Sequence, residues 1–168
     1  MPAEPRSRRV LGIDPGLSDT GYGLIGPGDG ALAVLATGVI STLRDLRLED
    51  RIQLIYTGVD ELLAALSPEL VVLEDLYAEY RFPRTALLMA HARGVICLAA
   101  RQRHVDILAL APGEVKRAVT GNGRASKEQV QHSVQRLLAL GGLPRPSHVA
   151  DALALAFTGY SRMGGRLT

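Results

Sequence analysis

Apolar and polar residues along this chain follow two periods in turn. Arg9–Asp14 (RVLGID) is a short apolar run that stops at Asp14 and Pro15-Gly16, which predicts a buried strand followed by a turn. Thr20–Ile25 and Leu32–Ser41 are two more strand candidates, separated by the turn-rich Gly26-Pro27-Gly28-Asp29-Gly30. In Leu48–Leu66 the period changes: Ile52, Ile55, Val59, Leu62, Leu63 and Leu66 recur at helical spacing until Ser67-Pro68. Leu70–Leu73 is apolar throughout, as a strand covered on both faces should be, and it ends abruptly at Glu74 and Asp75. An Ala-rich helix is predicted over Pro83–Arg103, a fifth strand over Val105–Leu110 and a short helix over Pro112–Val119. After the Gly-rich loop Thr120–Ala125, Ser126-Lys127-Glu128-Gln129 has the form of a capping box that opens a helix to about Leu140, closed by Gly141-Gly142. A last helix runs from near Ser147 to about Arg162. The order β-β-β-α-β-α-β-α-α-α predicts one α/β domain, a mixed five-stranded sheet with helices on both faces.

Three acidic residues stand where folding alone would not ask for them. Asp14 and Glu74 each end an apolar strand, and Asp151 sits inside the apolar stretch Val149–Ala156. Carboxylates at the carboxyl ends of central strands lie where α/β sheets gather their sites. If the two strands are neighbours, their axes are ~4.8 Å apart. Carboxylates that close cannot both ionise comfortably unless a cation lies between them. Convergence therefore points to a hard divalent cation with oxygen ligands, Mg²⁺ or Mn²⁺. His148 precedes Asp151 by three residues and shares its helical face, as a ligand or a proton shuttle. Each residue also has a plainer role open to it: a turn for Asp14, a solvated strand end for Glu74, the helix dipole for Asp151, a helix-start polar group for His148.

Charge sharpens this picture. Residues 1–80 carry six basic and 13 acidic side chains, whereas residues 81–168 carry 13 basic and four acidic ones. A basic half of this kind fits a polyanion such as nucleic acid. Of the 19 basic residues 17 are Arg, and the two Lys are Lys116 and Lys127, so their flexible point charges are candidates for reaching phosphate. The single cysteine, Cys97, excludes an internal disulfide and fits a reducing, cytoplasmic setting. No apolar run approaches the ~18 residues of a membrane span. Residues 1–8 are expected to be a disordered leader, 9–162 the domain, and 163–168 a flexible tail.

Taken together, these motifs resemble the opening and the body of the RuvC family of Holliday junction resolvases. The resemblance rests on Gly12-Ile13-Asp14-Pro15-Gly16 with Thr20-Gly21-Tyr22-Gly23, on Leu54-Ile55-Tyr56 and on Val72-Leu73-Glu74-Asp75-Leu76-Tyr77. It continues through Ala92-Arg93-Gly94-Val95, Val115-Lys116 before Gly121-Asn122-Gly123, Lys127-Glu128-Gln129-Val130-Gln131 and Ala150-Asp151-Ala152-Leu153-Ala154. It implies an RNase H-like fold and a homodimer that cuts two symmetric strands of a four-way DNA junction, in recombination and repair, alongside a RuvA–RuvB branch-migration motor. It implies that Asp14, Glu74, His148 and Asp151 form the catalytic metal set, holding two Mg²⁺ or Mn²⁺ ions. Many members carry Asp where this chain has His148, and a protonated His148 would repel a cation, so activity is expected to fail below about pH 6.5.

The resemblance places Lys116 and Lys127 against the DNA backbone in the cleft; Arg124 of the Gly-rich loop is a further DNA-binding candidate. Tyr77 stands where the family stacks an aromatic ring on an unpaired base, a task that needs only a π face. The helix Pro83–Arg103 matches the family's dimer helix, its Ala86, Ala90, Ala92 and Gly94 allowing close approach either to a partner or to its own sheet. Two other classes remain open: an actin-like kinase with a phosphate-binding Ile-Asp-x-Gly turn, for which 168 residues leave no second lobe, and a non-catalytic nucleic-acid-binding module. A related RNase H-like nuclease acting on other branched substrates is a third.

Overall fold

The computed structural model describes residues 8–76 and 83–164. Its elements follow the predicted order: β1 (Val10–Asp14), β2 (Asp19–Pro27), β3 (Leu32–Ser41), α1 (Leu48–Leu66), β4 (Leu70–Glu74), α2 (Pro83–Gln102), β5 (Asp106–Leu110), α3 (Pro112–Thr120), α4 (Lys127–Leu137) and α5 (Ser147–Arg162). The strands form one sheet in the order β3-β2-β1-β4-β5. The β1-β2-β3 meander is antiparallel, and β1, β4 and β5 are mutually parallel. Tyr77 and the expected leader and tail at 1–7 and 165–168 lie outside the described residues. At their border Arg8 donates from Nη1 to the Met163 carbonyl at 3.0 Å. No described helix is long and apolar enough to cross a membrane.

Period-two alternation divides the core between the two faces of the sheet. Leu11, Ile13, Leu24, Val71 and Leu73 face α1 and α2, packing on Ile55, Val59, Leu63, Ala92, Ile96 and Ala99. Val10, Ile25, Val72 and Leu110 face the other way, toward α3, α4 and α5. Helix α5 is buried all round: from Val149 to Tyr160 the one residue not fully buried is Asp151. Such a helix must lie in the middle of the molecule rather than on its surface.

What lets α5 sit so low is an absence of side chains beneath it. A Cβ on Gly12 of β1 would lie 1.9 Å from the Ala152 carbonyl oxygen. One on Gly21 of β2 would lie 2.4 Å from the His148 carbonyl oxygen, and one on Gly23 would lie 2.6 Å from Leu153 Cδ2. In return Gly159 of α5 makes room for Val72, whose Cγ2 would be 2.4 Å from an added Cβ.

Most predicted boundaries agree with the structure to a residue or two. The predicted capping box is formed: Ser126 Oγ accepts from the Gln129 N–H at 3.2 Å, and Gln129 Oε1 accepts from the Ser126 N–H at 2.9 Å. The end of α4 differs from expectation. The helix stops at Leu137, three residues early, and the left-handed residue after it is Ala139 (φ 48°) rather than Gly141 or Gly142. Leu138 is buried and Leu140 packs against the same core, and the Leu140 N–H bonds to Gln135 O at 2.9 Å. Core packing of these two leucines sets the stop, overriding the preference of glycine for the left-handed position.

Gly12→Ala is expected to cost about 3 kcal/mol of stability, because the methyl meets helix backbone that cannot rotate away. Chemical denaturation measures it, and an unchanged midpoint would refute the close approach of α5 to β1.

Candidate active site

The register of the parallel pair brings two of the expected acids together. Ile13 is paired with Leu73, so Asp14 and Glu74, one residue further on, stand side by side at the carboxyl ends of β1 and β4. On its other side Asp14 is paired with Gly21, the residue whose missing side chain admits His148. Helix α5 thus brings His148 and Asp151 over these strand ends. His148 Nδ1 lies 2.8 Å from Asp14 Oδ2. All four residues line one cleft of about 510 Å³, with Lys116 of α3, Lys127 of α4, and Thr85, Leu88 and Met89 of α2.

The charges in this cleft strain one another. Burial and the neighbouring Asp14 and Asp151 carboxylates push Glu74 up to about 7, against the opposing pull of Lys116 and Lys127. Burial is also the first cause that raises Asp151, with Asp14 adding to it. The hydrogen bond that its Nδ1–H donates to the Asp14 carboxylate raises His148 above its ordinary value, outweighing desolvation. Without a cation, therefore, the site favours retained protons. The pH 6.5 limit expected from an isolated imidazole moves upward, because Asp14 holds the proton on His148 to higher pH.

These donors suit a hard divalent cation: three carboxylates with a histidine, open on one side to a cleft. Among the described residues no three His, Cys, Asp or Glu side chains are gathered closely enough, as they stand, to hold a metal ion between them. An open set of this kind is what Mg²⁺ tolerates, since it keeps waters and substrate oxygens in its shell beside one or two carboxylates. In this site the cation would replace the shared protons.

Of the expected DNA contacts, Lys116 and Lys127 line the cleft, whereas Arg124 is exposed on the α3–α4 loop and is not among the cleft-lining residues. The Arg124 N–H is held by Asn122 Oδ1 at 2.9 Å, which shapes the loop. Sequence reasoning missed two arginines that brace the site. Arg51 of α1 donates from Nε to Thr42 Oγ1 at 2.9 Å and from Nη2 to Ser18 Oγ at 3.0 Å. The Thr42 hydroxyl donates to the Leu17 carbonyl, so the turn after Asp14, which forms one wall of the cleft, is held from outside. Arg93 of α2 donates from Nε to the Glu74 carbonyl at 3.2 Å. Arg51 carries no signal in an Arg-rich sequence, and Arg93 was marked only by its place in the Ala92-Arg93-Gly94-Val95 motif, which says nothing of what it bonds.

The family profile described as "Crossover junction endodeoxyribonuclease RuvC" matches residues 10–159. A protein of that name from Rhodopirellula baltica is 44% identical over 151 residues, covering 90% of this chain and 85% of the relative. One from Fusobacterium nucleatum is 38% identical, covering 95% and 84%. The Thermus thermophilus RuvC structure superposes with a TM-score of 0.83 at 37% identity, covering 93% of this chain and 96% of that one. The same protein solved in complex with a Holliday junction substrate gives 0.85 at 37% identity, covering 94% and 96%.

Because Glu74 titrates near 7 in the fold and at the usual carboxylate value when unfolded, it binds more protons in the native state between those values. The metal-free protein should accordingly lose stability as pH rises from about 4.5 to 7. Glu74→Gln in EDTA should be more stable than wild type at pH 8, by on the order of 1–2 kcal/mol after discounting for partial exposure, and no more stable at pH 4.5. Thermal melts at the two pH values measure this, and a Gln variant no more stable at pH 8 would refute the crowding of charge at Glu74.

Proposed function

This chain belongs to the RuvC family of crossover junction endodeoxyribonucleases, and on that premise we propose that it resolves four-way DNA junctions by paired, metal-dependent cuts. Its fold is RNase H-like, and its chemistry is hydrolysis of DNA phosphodiester bonds. The observation that carries the reading is the convergence of Asp14, Glu74, His148 and Asp151 with Lys116 and Lys127 in one cleft. Two Mg²⁺ or Mn²⁺ ions per subunit would be held by the three carboxylates and His148. When bound, such ions polarise the phosphoryl group and make water acidic enough to attack at neutral pH.

The chain's own residues then divide the work. Asp14 orients the His148 ring through Nδ1. Lys116 and Lys127 draw the phosphate backbone into the cleft and offset the carboxylate charge that desolvation makes costly. Arg124, outside the cleft, contacts backbone further along the DNA. Tyr77 stacks on an unpaired base at the junction centre.

Two symmetric cuts need two sites, and α2 offers the surface that would pair them. Its Leu87, His91, Gly94, Leu98 and Arg101 are exposed at helical spacing, with Leu87 at 65% and Leu98 at 50%. Nothing within 4 Å would meet a Cβ on Gly94, whereas Ala92 is buried on the chain's own sheet. The small residues of α2 thus divide between the core and a face open to a second copy. In the cell the enzyme works in the cytoplasm on DNA presented by a RuvA–RuvB motor.

A synthetic four-way junction with Mg²⁺, Mn²⁺ or EDTA tests the reading. Wild type should give paired nicks that need metal, and Asp14→Asn and Glu74→Gln should each lose at least about 100-fold in cleavage rate while binding the junction normally. Binding without metal-dependent cleavage by wild type would overturn it in favour of a junction-binding module. For the dimer, Leu98→Arg should elute as a monomer where wild type elutes as a dimer. A variant that stays dimeric would remove α2 from the interface.

A further inference from the structure

Glu74 is at once the last residue of β4 and a carboxylate of the site, so whatever fixes the strand end fixes the carboxylate. The Asp75 N–H donates to the Leu110 carbonyl at 2.8 Å. In a parallel ladder residues 73 and 75 therefore turn their backbone groups toward β5, and Glu74 turns its own toward β1. The β1–β4 register runs from Val10 with Leu70 to Ile13 with Leu73. One step further, the group that should donate to the Glu74 carbonyl is the N–H of residue 15, and Pro15 has none. The turn that follows Asp14 thus leaves the neighbouring strand without a ladder partner at the residue that matters.

Arg93 of α2 takes that position. Its Nε donates to the Glu74 carbonyl at 3.2 Å, and its Nη2 lies 3.8 Å from Asp75 Oδ1. The guanidinium spans two consecutive residues of the strand end, and its side chain is 23% exposed. A planar fork can brace two acceptors in fixed relation, which an ammonium cannot. We infer that Arg93 is a positioning residue of the metal site, holding the backbone of Glu74 where Pro15 cannot so that its carboxylate stays in register with Asp14. Arg93 acts through Glu74 and touches neither substrate nor cation. The inference rests on the metal-dependent reading above.

The test is Mn²⁺ binding to the full-length protein without DNA, by calorimetry, beside junction cleavage over a Mg²⁺ titration. Arg93→Ala should weaken Mn²⁺ binding about 10-fold and raise half-saturating Mg²⁺ by a like factor, the scale on which groups that orient metal ligands act. Cleavage at saturating metal and junction affinity in EDTA should stay within about 2-fold of wild type. Arg93→Lys should recover part of the loss, leaving metal binding about 3-fold weak. Wild-type metal affinity in Arg93→Ala overturns the inference even if its melting temperature falls, because a purely structural staple would lower stability alone. Should Arg93→Ala not fold, Arg93→Lys decides: a 3-fold loss supports the inference and a wild-type value overturns it. A wild type that neither binds Mn²⁺ nor cuts would instead overturn the metal-dependent reading, and the inference with it.

Discussion

The close seating of α5 on β1 and β2 is the contact on which the site depends. Helices normally pack on sheets through side chains, at a distance set by their bulk. Here Gly12, Gly21 and Gly23 remove that bulk, and helix backbone rests almost on strand backbone. The consequence is local and chemical. His148 sits over Gly21, the partner of Asp14, and reaches the Asp14 carboxylate at 2.8 Å. Asp151, one turn on, joins a cleft with Glu74. A helix standing off by the width of a methyl group would leave the strand-end acids and the helix acids as two separate features.

That seating brings like charges together in a half-buried place, and the fold pays in stability for what it gains in cation affinity. Glu74 held near 7 and Asp151 held up share one pair of causes, burial first and then the neighbouring Asp14 carboxylate. Lys116 and Lys127 relieve this crowding only in part. A divalent cation relieves it more fully, because it faces several carboxylates at once and needs no rotamer search to do so. A bound cation would therefore compete with protons for the same oxygens, and its affinity would fall as pH falls.

The features legible in the sequence were those that break a local rule. Asp14 and Glu74 stood out because apolar strands ended on them, and Asp151 because it interrupts a helix that is apolar on every side. Lys116 and Lys127 stood out because the chain otherwise uses Arg. The same bias hid Arg51 among 17 arginines, and Arg93, though it stands in the Ala92-Arg93-Gly94-Val95 motif, had no visible role there. Arg124, a further DNA-binding candidate, is exposed on the α3–α4 loop and outside the cleft, with its N–H held by Asn122 Oδ1. The end of α4 was misread because a Gly-Gly pair is a local signal, whereas the stop is set by Leu138 and Leu140 reaching a core assembled from distant strands. Local chemistry is written in the order of residues; the reach of a side chain across the fold is not.

Helix α2 illustrates how one element can carry unlike duties that sequence periodicity averages into a single weak pattern. Ala92, Ile96, Ala99 and Ala100 pack on the sheet. Thr85, Leu88 and Met89 wall the cleft. Leu87, Gly94 and Leu98 face outward. With small residues on more than one side, no sharp apolar stripe survives, and the helix reads only as Ala-rich. Arg93 lies where the core side meets the cleft side, bonded to the end of β4. A helix that packs on the core, walls the cleft and grips the strand bearing Glu74 cannot shift on one face without shifting on the others.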